Sequence, residues 1–134
     1  MIPRVCLLLA CLTGLWLPAM AQTPTNAPAL QGTWEGAMSI GPNSYLLAFT
    51  ISHQEGAYSA TFSSRDMGVY GMPADSVEVR DNRFIIRVRP VDGEFSGNLR
   101  LNEDGSAYVR IDGDWFQQAE MLPMVLLPVD KPTL

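Results

Sequence analysis

Cysteine is nearly absent from this chain: there are two, Cys6 and Cys11, both inside an apolar N-terminal stretch. If that stretch is removed on export, the remaining protein can form no disulfide and offers no thiolate to a metal, so packing alone must hold its core. Histidine is reduced to His53, too little for a His-rich metal centre and thin support for a nucleophile–base–acid arrangement. There is no basic run, and the balance is acidic, with 9 Lys and Arg against 14 Asp and Glu for a net charge of −5. That argues against nucleic acid and anionic lipid surfaces as partners. No stretch carries a convincing helical period, which leaves strands as the building material.

The apolar N-terminus reads as an export signal. Arg4 precedes an apolar core over residues 5–17, and Pro18-Ala19-Met20-Ala21 before Gln22 has the small-x-small form of a cleavage site. The run is too short, and too soon followed by Pro18, to make a good membrane span. Cleavage after Ala21 is expected, delivering 113 residues to the periplasm or the medium, a length that suits one domain. Two alternatives stay open: an uncleaved anchor, and a lipoprotein cut at Leu8-Leu9-Ala10-Cys11, the one reading that would tie the protein to a membrane. Against the lipoprotein, residues 12–17 remain apolar where a polar tether would begin. Beyond the cut 8 basic residues face 14 acidic ones, a charge of −6 with His53 neutral.

Residues 22–29 (QTPTNAPA) lack periodicity and carry two prolines, as a flexible leader would. From Leu30 to residue 130 the chain alternates apolar and polar positions, and a polar tail of residues 131–134 closes it. Trp34, Gly36, Met38 and Ile40 share one face; Tyr45, Leu47, Phe49, Ile51 and His53 share another; Tyr58, Ala60 and Phe62 follow after Gln54-Glu55-Gly56. Residues 64–75, rich in Gly and interrupted by Pro73, predict a long connection with an edge strand, since proline lacks the ladder donor. The two-residue turn Asp81-Asn82 predicts a hairpin pairing Val79 with Phe84 and Val77 with Ile86. Two further strands place Phe95, Gly97, Leu99 and Leu101, then Ala107, Val109, Ile111, Gly113 and Trp115, on the inner face. The last, residues 122–129, is apolar on both faces. The fold class expected is all-β: an up-and-down antiparallel barrel or strongly curled sheet of about eight strands, filled or holding one small ligand.

Three phrases in order then become informative. Gly32-Thr33-Trp34-Glu35-Gly36, the stretch from Ser64 through Arg65, Asp66 and Tyr70 to Pro73, and Gly113-Asp114-Trp115-Phe116-Gln117 with Leu122-Pro123-Met124 after it resemble the small non-catalytic β domain at the N-terminus of many secreted bacterial α/β-hydrolases. The resemblance covers nearly all of residues 22–134. It departs at Arg65, where that family usually has Pro, and at Tyr70, where an acidic or small residue is commoner. The sequence shows no Gly-x-Ser-x-Gly elbow of the catalytic domain that normally follows, so it reads as a stand-alone copy. The Gly-x-Trp opening has a looser likeness to lipocalins. What the resemblance implies is a domain without catalysis or cofactor, associated with a secreted hydrolase. Gly32, Trp34, Gly36, Pro73, Gly113 and Trp115 then serve structure, the two Gly-x-Trp phrases meeting where the sheet closes.

Candidate sites are few. Ser64, His53 and Asp66 are the nearest approach to a catalytic set, yet no oxyanion loop accompanies them, and a strand-end surface histidine is the plainer reading. Glu103 and Asp104 sit in a turn whose backbone donors would occupy them, so no metal site is expected there. Arg83, Arg87 and Arg89 could clamp a carboxylate, but with Glu78 and Arg80 nearby they better suit a solvated cross-strand charge face. Arg65, Asp66 and Tyr70, in a Gly-rich loop with no evident packing duty, are the expected binding residues, with Tyr45 and Tyr58 as aromatic lining of a hollow interior. The expected function is therefore an exported non-catalytic module binding a partner protein or a small apolar ligand. The alternatives are an accessory domain packed on a separately encoded hydrolase, with no ligand, and, least favoured, a hydrolase.

Overall fold

The computed structural model describes residues 28–134. Cys6, Cys11, the expected cut after Ala21 and all but the last two residues of the 22–29 leader lie outside the described residues. Nine strands form one antiparallel, strongly curled sheet: β1 (Gly32–Ile40), β2 (Asn43–Gln54), β3 (Ala57–Ser64), β4 (Val69–Pro73), β5 (Ser76–Arg80), β6 (Arg83–Val88), β7 (Gly93–Leu101), β8 (Tyr108–Gln117) and β9 (Glu120–Val129). A 3₁₀ turn, Arg89–Val91, joins β6 to β7, so Arg89 lies just past the strand that carries Arg83 and Arg87. Strand order is β4-β3-β2-β1-β9-β8-β7-β6-β5.

The count exceeds eight because residues 69–80 change partners midway. Pro73 ends β4 opposite Thr61. The Ala74 N–H then donates to the Ala60 carbonyl at 2.9 Å, and the next N–H, of Asp75, donates the other way, to the Arg87 carbonyl at 2.8 Å. One short link between the end strands β4 and β5 thereby ties β3 on one side to β6 on the other. The hairpin after it has the expected register, Val77 opposite Ile86 and Val79 opposite Phe84, with Asp81 taking the left-handed φ of 53° that a two-residue turn requires.

Alternation delivers one apolar side chain in two to the concave face, where Phe49, Phe62, Phe84, Phe95 and Trp115 are fully buried. Phe62 stacks on Trp115 with centroids 5.5 Å apart and planes 9° apart, and Phe49 meets Phe62, Phe95 and Trp115 at 5.5, 6.2 and 6.1 Å. Met38, Leu47 and Leu99 join the same buried cluster, so the interior is occupied by the protein's own side chains. Each such residue contributes about 1.5–3 kcal/mol of hydrophobic stabilisation.

The Gly-x-Trp phrases do not meet each other as expected, because β9 lies between β1 and β8. Gly36 instead lets β1 pass close over β9: a Cβ there would lie 2.7 Å from the Val125 carbonyl oxygen. Gly113 pairs with Gly97 across β8 and β7, and the Phe95 ring lies over both. Trp115 packs over Gly93 and donates to Gln117 Oε1 at 3.1 Å, while Trp34 donates to the Leu30 carbonyl at 2.9 Å. Gly32, at φ 132°, starts β1 in a conformation that side chains disfavour. The C-terminal residues are also engaged: the Thr133 backbone N–H and hydroxyl both donate to the Glu35 carboxylate, and Arg65 donates to the Thr133 carbonyl at 2.7 Å.

Candidate functional site

The expected loop residues have structural partners. The Asp66 carboxylate accepts from the Leu46 N–H at 3.1 Å, beyond the point where the β2–β3 ladder ends at Ala48–Ser63. Arg65 holds the tail, and Gly71 N–H donates to Ser63 Oγ at 2.8 Å. Tyr70 alone projects freely, 64% exposed on β4. Tyr45 and Tyr58 do not line a common hollow; both are half-buried and packed against the core, Tyr45 opposite Met38 and Tyr58 opposite His53, at opposite ends of β2. His53 is exposed and stacks on Tyr58 with centroids 4.2 Å apart. Ser64 lies at the far end of β3, fully buried with its hydroxyl unpartnered, so Ser64 and His53 are separated by the length of that strand, about 20 Å. Among the described residues no three His, Cys, Asp or Glu side chains come together as metal ligands would.

Arg83 and Arg87 are in the charge face that the sequence suggested, whereas Arg89 lies outside the ladder in the 3₁₀ turn. Arg87 bridges Glu94 at 2.7 Å and Glu78 at 2.9 Å, and these partners raise its already high pKa. Arg83 donates to Ser96 Oγ. Arg100 and Arg110 each lie 2.9 Å from the two oxygens of Asp112, and the hydrogen bond from Arg100, with help from Arg110, holds that carboxyl below its ordinary pKa. All these side chains stand on the convex face of β5 to β8.

β9 breaks that polar pattern. Its inward residues Met124 and Leu126 are buried, and its outward residues are apolar as well: Met121 is 58%, Val125 45% and Leu127 51% exposed, with exposed Pro123 between them. Across the ladder, outward Phe116 of β8 stands opposite Met121. The five side chains make a stripe about 20 Å long, given a rise of about 3.4 Å per residue. Isolated exposed apolar residues are ordinary, but a contiguous stripe rimmed by charge marks an interaction surface. Sequence reading missed these residues as a site. The signal was there in the two-faced apolarity of residues 122–129, which reads equally well as a strand buried on both sides.

At its Phe116 end the stripe opens into a cleft of about 380 Å³, lined among others by Arg87, Arg89, Glu94, Phe116 and Gln118. Three of its lining residues, Asp92, Gln118 and Ala119, adopt left-handed φ values of 51°, 50° and 65° without being glycine. Backbone in that region costs L-residues of order 1–2 kcal/mol each and gathers at functional surfaces. Two tight turns hold this end of the sheet: Val91 carbonyl accepts from Gln117 Nε2 at 2.8 Å, tying the 3₁₀ turn to the end of β8.

Neither a family model nor a curated protein sequence matches this chain.

Proposed function

We propose that this is an exported, non-catalytic module that binds another protein through the convex face of β8 and β9. The observation that carries the reading is the stripe of Phe116, Met121, Pro123, Val125 and Leu127, exposed on a sheet whose opposite face is already filled. The filled interior supports binding at the outer surface over uptake of a small apolar ligand. Packing on a separately encoded secreted α/β-hydrolase, as the sequence resemblance implies, is one form of the same docking.

A photo-reactive side chain at Met121 tests this in the producing cell. It should give discrete protein adducts that Leu127→Glu abolishes, while the same group at Arg80, away from the stripe, gives none. Saturable uptake of a fluorescent fatty acid with quenching of Trp115, or turnover of a hydrolase substrate lost in His53→Ala, would overturn the reading.

A further inference from the structure

We infer that the occupant of this face is a second copy of the same chain, an inference that rests on the docking reading above. The outward residues of β7, β8 and β9 form ranks across the sheet. Glu94, Phe116 and Met121 make the first; Ser96, Asp114 and Pro123 the second; Asn98, Asp112 and Val125 the third. Arg100 and Arg110 pair in the fourth, and Leu127 is the next outward residue of β9 after Val125.

Charge is unevenly spread along these ranks. In the third and fourth, two guanidiniums share the single carboxylate of Asp112, leaving positive charge unmatched. In the second, Asp114 has no Lys, Arg or His within 4.0 Å among the described residues, and in the first Glu94 is one of two carboxylates on Arg87. Along β7 and β8 the ranks are therefore positive toward Arg100 and Arg110 and negative toward Glu94 and Asp114.

A two-fold axis lying in the contact plane, perpendicular to the strands and between the second and third ranks, reverses that order in the second copy. Glu94 then meets Arg100, Phe116 meets the Arg110 guanidinium, Met121 meets Leu127 and Pro123 meets Val125. Ser96 faces Asn98, and Asp114 faces Asp112, a pair of carboxylates that only the two guanidiniums held by Asp112 offset. Each contact occurs twice, as an isologous interface demands. Cation–π and charge-assisted pairs along β7 and β8 lie beside an apolar row contributed by β9. Sheets stacking face to face in this way sit about 10 Å apart. Three strands by about 20 Å is a small footprint, at the low end for specific association, so the dimer is weak and reversible.

Light scattering and sedimentation on the exported full chain, from roughly 1 µM to 1 mM, test the inference. The wild type should pass from one mass to twice that mass across the range. Arg100→Glu and Glu94→Arg, each of which sets like charges against each other twice per dimer, should each weaken association at least tenfold. An equimolar mixture of the two should recover it, because the mixed dimer has both contacts matched. Met121→Lys, at an exposed position opposite Phe116 and away from the β1–β9 seam, should remain monomeric with an unchanged melting temperature, which separates loss of the interface from loss of fold. A wild type monomeric throughout, single variants that dimerise like wild type, or a mixture that stays monomeric overturns the inference. If the wild type is monomeric and Met121 cross-links to a different protein, the docking reading stands and the second copy is excluded as its occupant.

Discussion

Replacing Gly113 with alanine should destabilise the protein, although elementary strand propensity predicts the reverse. In a strand interior glycine costs about 0.5–1 kcal/mol relative to alanine, because it loses more backbone freedom and packs no side chain. Gly113 has no left-handed φ to protect, so with space available the substitution would be stabilising. There is no space. A Cβ at Gly113 overlaps the Ser96 carbonyl oxygen and would lie 2.7 Å from Gly97 Cα and 2.8 Å from Phe95 Cζ. The first two are backbone atoms of β7, held by the β7–β8 ladder, and cannot rotate away. Relief requires the strands to part, and overpacking of that kind costs about 1–3 kcal/mol. Because the nearest atoms are main chain, the upper half of that range applies, and the melting temperature should fall by about 10–15 °C for a domain of this size. Chemical denaturation of Gly113→Ala, Phe95→Leu and the double variant measures it. If the ring alone resisted the methyl group, Phe95→Leu would rescue Gly113→Ala; if the backbone does, the two losses add to within about 0.5 kcal/mol. A Gly113→Ala protein as stable as wild type, or more so, refutes the argument.

Three further outcomes are expected. The β8–β9 turn carries Gln118 and Ala119 at φ 50° and 65°, so Gln118→Asn with Ala119→Gly should raise stability by about 1 kcal/mol, read as a higher denaturation midpoint at unchanged slope. Ser64→Ala removes a buried hydroxyl that has no partner and should be neutral or stabilising by about 1 kcal/mol in thermal melts, whereas a clear loss would show the hydroxyl to be bonded. Arg100, then Arg110, hold the Asp112 pKa below its ordinary value of about 3.9, so its contribution is full above that value and is lost as pH falls through the lower folded one; Asp112→Asn should therefore flatten the acid limb of the stability–pH curve and leave its alkaline limb alone.

Much of the fold was legible because alternation and turn chemistry agreed with each other. Val77, Val79, Phe84 and Ile86 alternate around Asp81-Asn82, and a one-residue slip would have turned every one of them to solvent, so the register followed. The turn at Gln118-Ala119 was invisible because neither residue favours left-handed backbone, and β9 begins at Glu120, not at Leu122. Val109 was expected inside, yet it is 43% exposed, since a shift of register at Arg100 and Leu101 interrupts the β7–β8 pairing near it. That shift depends on two strands at once and leaves no mark in either alone. The candidate site suffered differently: Arg65 and Asp66 looked idle because their partners, Thr133 and Leu46, are 68 and 20 residues away. Phe116 was passed over because a single outward aromatic acquires meaning only beside Met121, which a ladder must place there.

Among the described residues every hydrogen-bonded strand pair but one joins neighbours in sequence, and the exception is β1 with β9, linked by three register pairs, Thr33–Val129, Trp34–Pro128 and Glu35–Leu127. The two meanders on either side can each form by short-range closure, at small entropic cost, while this seam must bring together residues nearly a hundred positions apart. Seam closure should then be the late step of folding and its reversal the first opening of the native state, with the amides that bond across β1 and β9 exchanging ahead of those between β7 and β8. Glu35 belongs to the seam and also grips Thr133. The last residues of the chain thus act as a latch on the sheet's slowest joint, and trimming them would show up in exchange rates before it showed up in shape.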